Sequence, residues 1–163
     1  MFTLRAATVA DSEQLVRAVA DGLEGYRSFA PDGWAPPAVD HHPAQVADAD
    51  VICLLAEDAA GLAGQVTVLP AARTRLPVQD PALAHMSYLF VRTDVWGTGL
   101  ARTLHEAALD AARERAFSTM RLFCAADQAR ARRFYEREGW ELAGEPWREE
   151  AVGLDMVEYR RRL

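Results

Sequence analysis

The sequence has 163 residues, half of them apolar and 26% charged, with a formal charge of −6. These are the proportions of one globular domain with a proper core, not of a disordered or low-complexity chain. No stretch approaches the ~18 consecutive apolar residues of a membrane span and residues 1–5 are no signal peptide, so the expectation is a cytoplasmic protein without a membrane partner.

All 18 basic residues are arginine, and residues 1–70 carry ten acids against three arginines while 71–163 carry fourteen against fifteen. That polarity argues against nucleic-acid binding, which needs a basic footprint, and suits a cationic ligand at the front and an anionic one at the back. Cys53 and Cys124 each lie in an apolar run, which predicts free thiols acting as small hydrophobes rather than a disulfide.

In chain order, residues 2–7 alternate as a half-buried strand, and Asp11 is placed to N-cap a helix carrying Leu15, Val16 and Val19 on one face. From Gly22 to Asp50 the chain turns irregular, punctuated by Gly25, Pro31, Gly33, Pro36, Pro37 and Pro43, with Tyr26, Phe29 and Trp34 interspersed. An aromatic-bearing loop of that length usually covers a binding site. Residues 51–57 and 62–69 read as a hairpin turning at 58–61, and a second loop spans 70–82. The next strand is 86–91, and Leu100, Leu104, Ala107, Ala108 and Ala111 then repeat at helical spacing to about Arg115. Residues 120–125 are a further buried strand, 128–138 a short helix closed by Gly139, and strands around 141–144 and 154–159 finish the chain. This order predicts an α/β fold, with a single mixed, mostly antiparallel sheet and a central βαβ crossover, in one domain over residues 1–163.

Gly97-Thr98-Gly99 joins the 86–91 strand to its helix, where unpaired amides and the helix dipole favour an anion. Two glycines also serve merely to permit a tight turn. The dinucleotide fingerprint fails at Arg102, and the P-loop needs a lysine that the chain lacks. The segment 96–101, Trp-Gly-Thr-Gly-Leu-Ala, follows Leu89-Phe90-Val91, and residues 128–140 continue as Gln-Ala-Arg-Ala-Arg-Arg-Phe-Tyr-Glu-Arg-Glu-Gly-Trp. Together they resemble the Gcn5-related N-acetyltransferase (GNAT) superfamily: its acetyl-CoA loop, and its later turn and helix ending in an aromatic, Tyr and Gly. The chain departs from that pattern in having Trp96 for the usual Gln or Arg, Gln128 for Asn, and Phe123 where some members place a glutamate base.

The resemblance implies the GNAT fold and an acetyl-CoA-dependent N-acetyltransferase acting by direct attack of an amine. Pantetheine would lie along Leu89, Phe90 and Val91, with the pyrophosphate held by Gly97, Thr98, Gly99, Leu100, Ala101 and Arg102 and a further contact at Gln128. Tyr135 falls at the position of the general acid that protonates the departing thiolate. His85, at the head of the strand, is the candidate base because it titrates in the useful range. The loops 22–50, 70–84 and 145–153 are expected to line the acceptor pocket, with Glu24, Tyr26, Asp32, Trp34 and Glu149 as contacts to a small, cationic amine. His105, between Arg102 and Glu106, is expected in solvent. His41 and His42 after Asp40 lack further ligands, and no metal is expected. A protein or peptide amine acetyltransferase and a non-catalytic acyl-CoA-binding regulator are the alternatives, and a homodimer is left open.

Overall fold

The computed structural model describes residues 1–39 and 42–163. Asp40 and His41 lie outside the described residues, as does the side chain of His42. Seven strands, β1 (Thr3–Ala6), β2 (Ile52–Asp58), β3 (Gly61–Pro70), β4 (Leu83–Val91), β5 (Thr119–Ala125), β6 (Glu141–Glu149) and β7 (Leu154–Arg162), form one sheet in the order β1-β2-β3-β4-β5-β7-β6. All neighbours are antiparallel except β4 and β5. Those two are joined through α3 (Leu100–Glu114), the expected crossover. The other helices are α1 (Ser12–Glu24), α2 (His42–Ala47) and α4 (Ala129–Arg137). None of the described helices is long and apolar enough to cross a membrane.

Each face of the sheet has its own helical cover. The apolar stripe of α3, Leu100, Leu104, Ala108, Leu109 and Ala112, packs on Val66, Val68, Ala84, Met86, Met120 and Leu122. Side chains alternate along a strand, so Cys53 and Leu55 of β2 point the other way and meet Leu15 of α1. Two glycines permit the close approach of layers. A Cβ on Gly64 would stand 2.8 Å from Leu104, and one on Gly22 would stand 2.4 Å from the Phe90 ring.

Asp11 sits at the N-cap of α1, but its carboxylate does not cap that helix. It accepts the Thr8 amide at 2.8 Å and both Arg5 Nη groups at 2.8 Å, while Arg5 also reaches Glu57. This network ties β1, the α1 entry and β2 together and holds the Asp11 carboxyl well below the usual range.

Several expected boundaries move. The irregular 22–50 stretch contains the last turn of α1, a 3-10 turn over Gly25–Ser28 and the short α2. β4 begins three residues before Met86, because Leu83 and Ala84 pair with Thr119 and Met120 of β5. β6 runs on to Glu149, so half of the expected 145–153 loop is strand.

His105, expected in solvent, is 1% exposed. Its Nε2 accepts the Trp140 indole N–H at 2.9 Å, and its Nδ1 is buried without a partner. Arg102 and Glu106 are exposed, but the helical stripe of α3 carries residue 105 inward beside Leu104 and Leu109. Burial pushes its pKa down to about 4. The unfolded chain therefore takes up a proton near pH 6.5 that the fold refuses until about pH 4, and stability falls as pH drops through that window. Between pH 6.5 and 4.5, urea titrations should show wild type losing up to about 1.4 kcal/mol per pH unit more than His105→Gln, whose amide oxygen can still accept the Trp140 N–H.

Candidate active site

The parallel pairing of β4 with β5 ends at Met86 and Leu122, whereas β5 continues along β7 to Ala125. The two strands part because β4 carries a bulge. Its register with β3 jumps from Ser87 opposite Thr67 to Phe90 opposite Gln65, so Tyr88 and Leu89 face the single residue Val66, and Tyr88 takes a φ of 54°. Leu89, Phe90 and Val91 are thus left with an unpaired edge toward β5, a template for an added strand. Leu89 and Val91 pack toward α3, while Phe90 lies under Gly22 and faces Tyr26 at 6.4 Å.

The opened edge runs into the α3 N-terminus. Gly97 and Gly99 adopt φ of 82° and 88°, which L side chains resist. The first backbone bond of the helix is the Thr103 amide to the Gly99 carbonyl. The amides of Gly97, Gly99, Leu100, Ala101 and Arg102 donate to no described carbonyl, whereas the Thr98 amide and hydroxyl are both spent on Val95. The arrangement is a nest of N–H donors at a positive dipole end. The Leu100 side chain is in the core and the Arg102 guanidinium is engaged with Glu106, so both residues offer the site their backbone alone. Trp96 is 51% exposed, yet its indole donates to the Val91 carbonyl and its ring carries the Arg130 guanidinium 3.5 Å from the centroid. That stack links the turn before α3 to the first turn of α4.

On α4, Tyr135 is half-buried against Phe134, Trp140 and Tyr159 at ring distances of 5.4 to 6.0 Å. Its hydroxyl makes no hydrogen bond to a described residue. Burial is the main cause raising its pKa, with Cys124 and Tyr26 adding to it, so the phenol keeps its proton throughout the neutral range. Tyr26, Cys124 and Gln128 are its neighbours: Gln128 Oε1 faces the Cys124 sulfur at 3.9 Å and its amide lies near the Tyr26 hydroxyl. Both cysteines are free and buried, and burial raises the Cys124 thiol to about 12, which leaves it inert.

The expected acceptor contacts lie on the face opposite α3, but most are engaged. Trp34 is buried and donates its indole N–H to the Val152 carbonyl, pinning residues 25–34 onto the turn between β6 and β7. Tyr26 stacks on it at 6.2 Å. Glu24 is tied to Arg27, and Glu149 to Arg75 at 3.2 Å. Asp32 is exposed, in a small cavity of about 200 Å³ with Arg27 and Trp34. Among the described residues no group of three or more His, Cys, Asp or Glu is placed to hold a metal.

His85 is the third residue of β4, buried, with its ring 4.7 Å from Phe123. Arg121 Nε donates to its Nδ1 at 3.2 Å, which occupies the one lone pair of the neutral ring and places the proton on Nε2. Burial, reinforced by the Arg121 charge, pushes its pKa down to about 3. Three neighbours on this face, Ser87, Arg121 and Trp147, were not foreseen from sequence. Ser87 stands out only as the polar residue in 86–91, and Trp147 reaches Phe123 only because the β6–β7 register slips across residues 144–146. In an NMR pH titration the His85 ring should remain neutral from pH 8 down to 5, whereas a residue of ordinary pKa would titrate near 6.5.

Residues 19–140 match the acetyltransferase (GNAT) family. A search of curated proteins returns no match. Solved structures with a similar fold include the ribosomal-protein-alanine N-acetyltransferase of Brucella melitensis, at 22% identity and a TM-score of 0.76 over 99% of each chain. A GNAT-family acetyltransferase of Staphylococcus aureus Mu50 gives 13% and 0.75 over 99% of each, and an IAA acetyltransferase of Bacillus cereus gives 14% and 0.67 over the whole of both. With the parted strands and the glycine turn at the head of α3, the match over most of the chain identifies this protein as a member of the GNAT acetyltransferase family.

Proposed function

We propose that the protein transfers the acetyl group of acetyl-CoA to the primary amine of a small molecule by direct attack. The observation that carries this reading is the continuity of the unpaired β4 edge with the free amides at the head of α3. The residues present fit the donor molecule. An extended amide chain suits the edge of Leu89, Phe90 and Val91, and a pyrophosphate suits the amides from Gly97 to Arg102, with Gln128 and Arg130 on the facing helix. Bound acetyl-CoA supplies an activated thioester; the protein supplies the rest.

An N–H of the β4 edge is available to the thioester carbonyl, where fixed donors favour the charge that develops during attack. Tyr135 holds a proton at its hydroxyl for the leaving thiolate. Neither nitrogen of His85 has a free lone pair, so we assign it donor duty toward the acceptor, and the amine loses its proton to solvent. The pinned segment 25–34 covers the face that an extended peptide would need, which favours a small acceptor over a protein one. Of the expected acidic contacts, Glu24 and Glu149 already have cationic partners, which weakens the case for a cationic acceptor. Asp32 remains at the rim.

Valine at Gly99 imposes a branched side chain on a left-handed backbone and fills the space before the amides. Calorimetry should show CoA affinity falling by about tenfold or more in Gly99→Val, and only modestly in Trp96→Ala, since the amides persist there. Equal losses would contradict recognition by the main chain. In Tyr135→Phe, steady-state kinetics should show kcat reduced by about 10² to 10⁴ with the KM for acetyl-CoA little changed; unchanged kcat would reduce Tyr135 to packing.

A further inference from the structure

On the sheet face away from α3, three residues surround the Phe123 ring. The His85 ring lies 4.7 Å away and the Trp147 ring 5.0 Å away, both edge to face, and the Arg121 guanidinium is 4.7 Å from the centroid. Ser87 follows His85 on the same side of β4, at the point where β4 and β5 part. The polar groups of this set are weighted toward donors. Trp147 Nε1 and Ser87 Oγ are buried without a hydrogen-bond partner. An indole N–H can only donate, and a hydroxyl can donate. The bond from Arg121 to His85 Nδ1 puts a further N–H on His85 Nε2, which has no described partner.

Beneath them lies a buried charge with no direct ion pair among the described residues. Arg121 is 2% exposed, and its Nη2 is held by Thr74 Oγ1 and the Leu76 carbonyl. No carboxylate among the described residues lies within ion-pair distance of it. Glu158, paired with Phe123 on the neighbouring strand β7, acts on Arg121 through its charge but is bound to Arg160, and Glu149 is bound to Arg75. The nearby carboxylates are thus paired directly with other arginines, while among the described residues the donors lack acceptors and the buried guanidinium has neutral acceptors but no direct carboxylate partner. A polyamine would bring further donors and more positive charge to this place. A carboxylate would bring the lone pairs and the negative charge that it lacks.

We propose, resting on the acetyl-transfer reading above, that the space beside Phe123 receives the carboxylate of the acceptor, bound by Trp147, Ser87 and His85 over the positive charge of Arg121. The substrate class is an amine that carries a carboxylate, as an amino acid does. The carboxylate end lies at the base of the parted strands, and the amine points along β4 toward Leu89 and the thioester. Arg121 acts as a positioning residue: it orients His85 and fastens the loop at Thr74 and Leu76 to the sheet.

The test is thiol release from acetyl-CoA with the standard amino acids, with the amines obtained by decarboxylating them, and with spermidine. At least one amino acid should exceed its decarboxylated amine by about tenfold or more in kcat/KM, because a site built from donors rejects an analogue lacking the matching oxygens. Trp147→Phe keeps the ring and removes the N–H, so it should raise the KM for that acceptor several-fold with the KM for acetyl-CoA unchanged; Ser87→Ala should act in the same direction. Preference for the bare amines or spermidine, no turnover of any amino acid, or an unchanged acceptor KM in Trp147→Phe would overturn the proposal. Calorimetry with CoA separates the two layers. Wild type that fails to bind CoA defeats the acetyl-transfer reading, whereas binding combined with a preference for bare amines defeats only the carboxylate site.

Discussion

The parting of β4 from β5 is the constraint on which the rest of the molecule depends. A parallel pair held in register to its end would bury every backbone group between the strands and leave no place for an extended ligand. Here the bulge at Tyr88 and Leu89 turns β4 out of register after Met86, and β5 follows β7 instead. The strain at Tyr88, a non-glycine residue with φ of 54°, is sustained by packing on both faces, with Leu89 and Val91 toward α3 and Phe90 beneath α1. Everything assigned to the acetyl donor follows from that opening: the free edge, the turn of amides at its end, and Tyr135 beside it.

The charge balance along the chain has a different meaning in space. The acids of the first 70 residues are largely neutralised at home or by arginines from the second half. Asp11 and Glu57 converge on Arg5, Asp48 and Asp50 on Arg73, and Asp58 on Arg92. These contacts fasten the early strands and loops to later ones rather than creating an acidic basin. A local imbalance remains: one buried arginine beneath Phe123 has no direct carboxylate partner among the described residues. A polarity visible in sequence blocks therefore dissolves on folding, and a new one arises from a single residue.

The two buried histidines show how the same side chain is committed in opposite ways. His105 accepts a hydrogen bond through Nε2 from Trp140 inside the α3 core, whereas His85 accepts through Nδ1 from Arg121 on the opposite face of the sheet. Burial depresses both pKa values, so neither is a proton carrier near neutrality. Their difference lies in position. One is sealed in a packed layer, and the other stands at the base of an opening.

Order and type of elements were legible in the sequence because they rest on local periodicity: the α3 stripe from Leu100 to Ala112, the hairpin of β2 and β3, and the glycine turn between β4 and α3. The turn also marked the part of the candidate site proposed for the donor, since residues 97–102 build it from contiguous backbone. The acceptor side was not legible in the same way. Ser87, Arg121 and Trp147 come from three strands, and only the register of β4 with β5 and the slip between β6 and β7 bring them around Phe123. Likewise the exposed neighbours of His105 suggested a solvated residue until α3 was docked. Local chemistry set which segments became strands, helices and turns; long-range pairing decided which polar atoms lost their partners, because hydrogen-bond satisfaction is a property of neighbours that are distant in the chain.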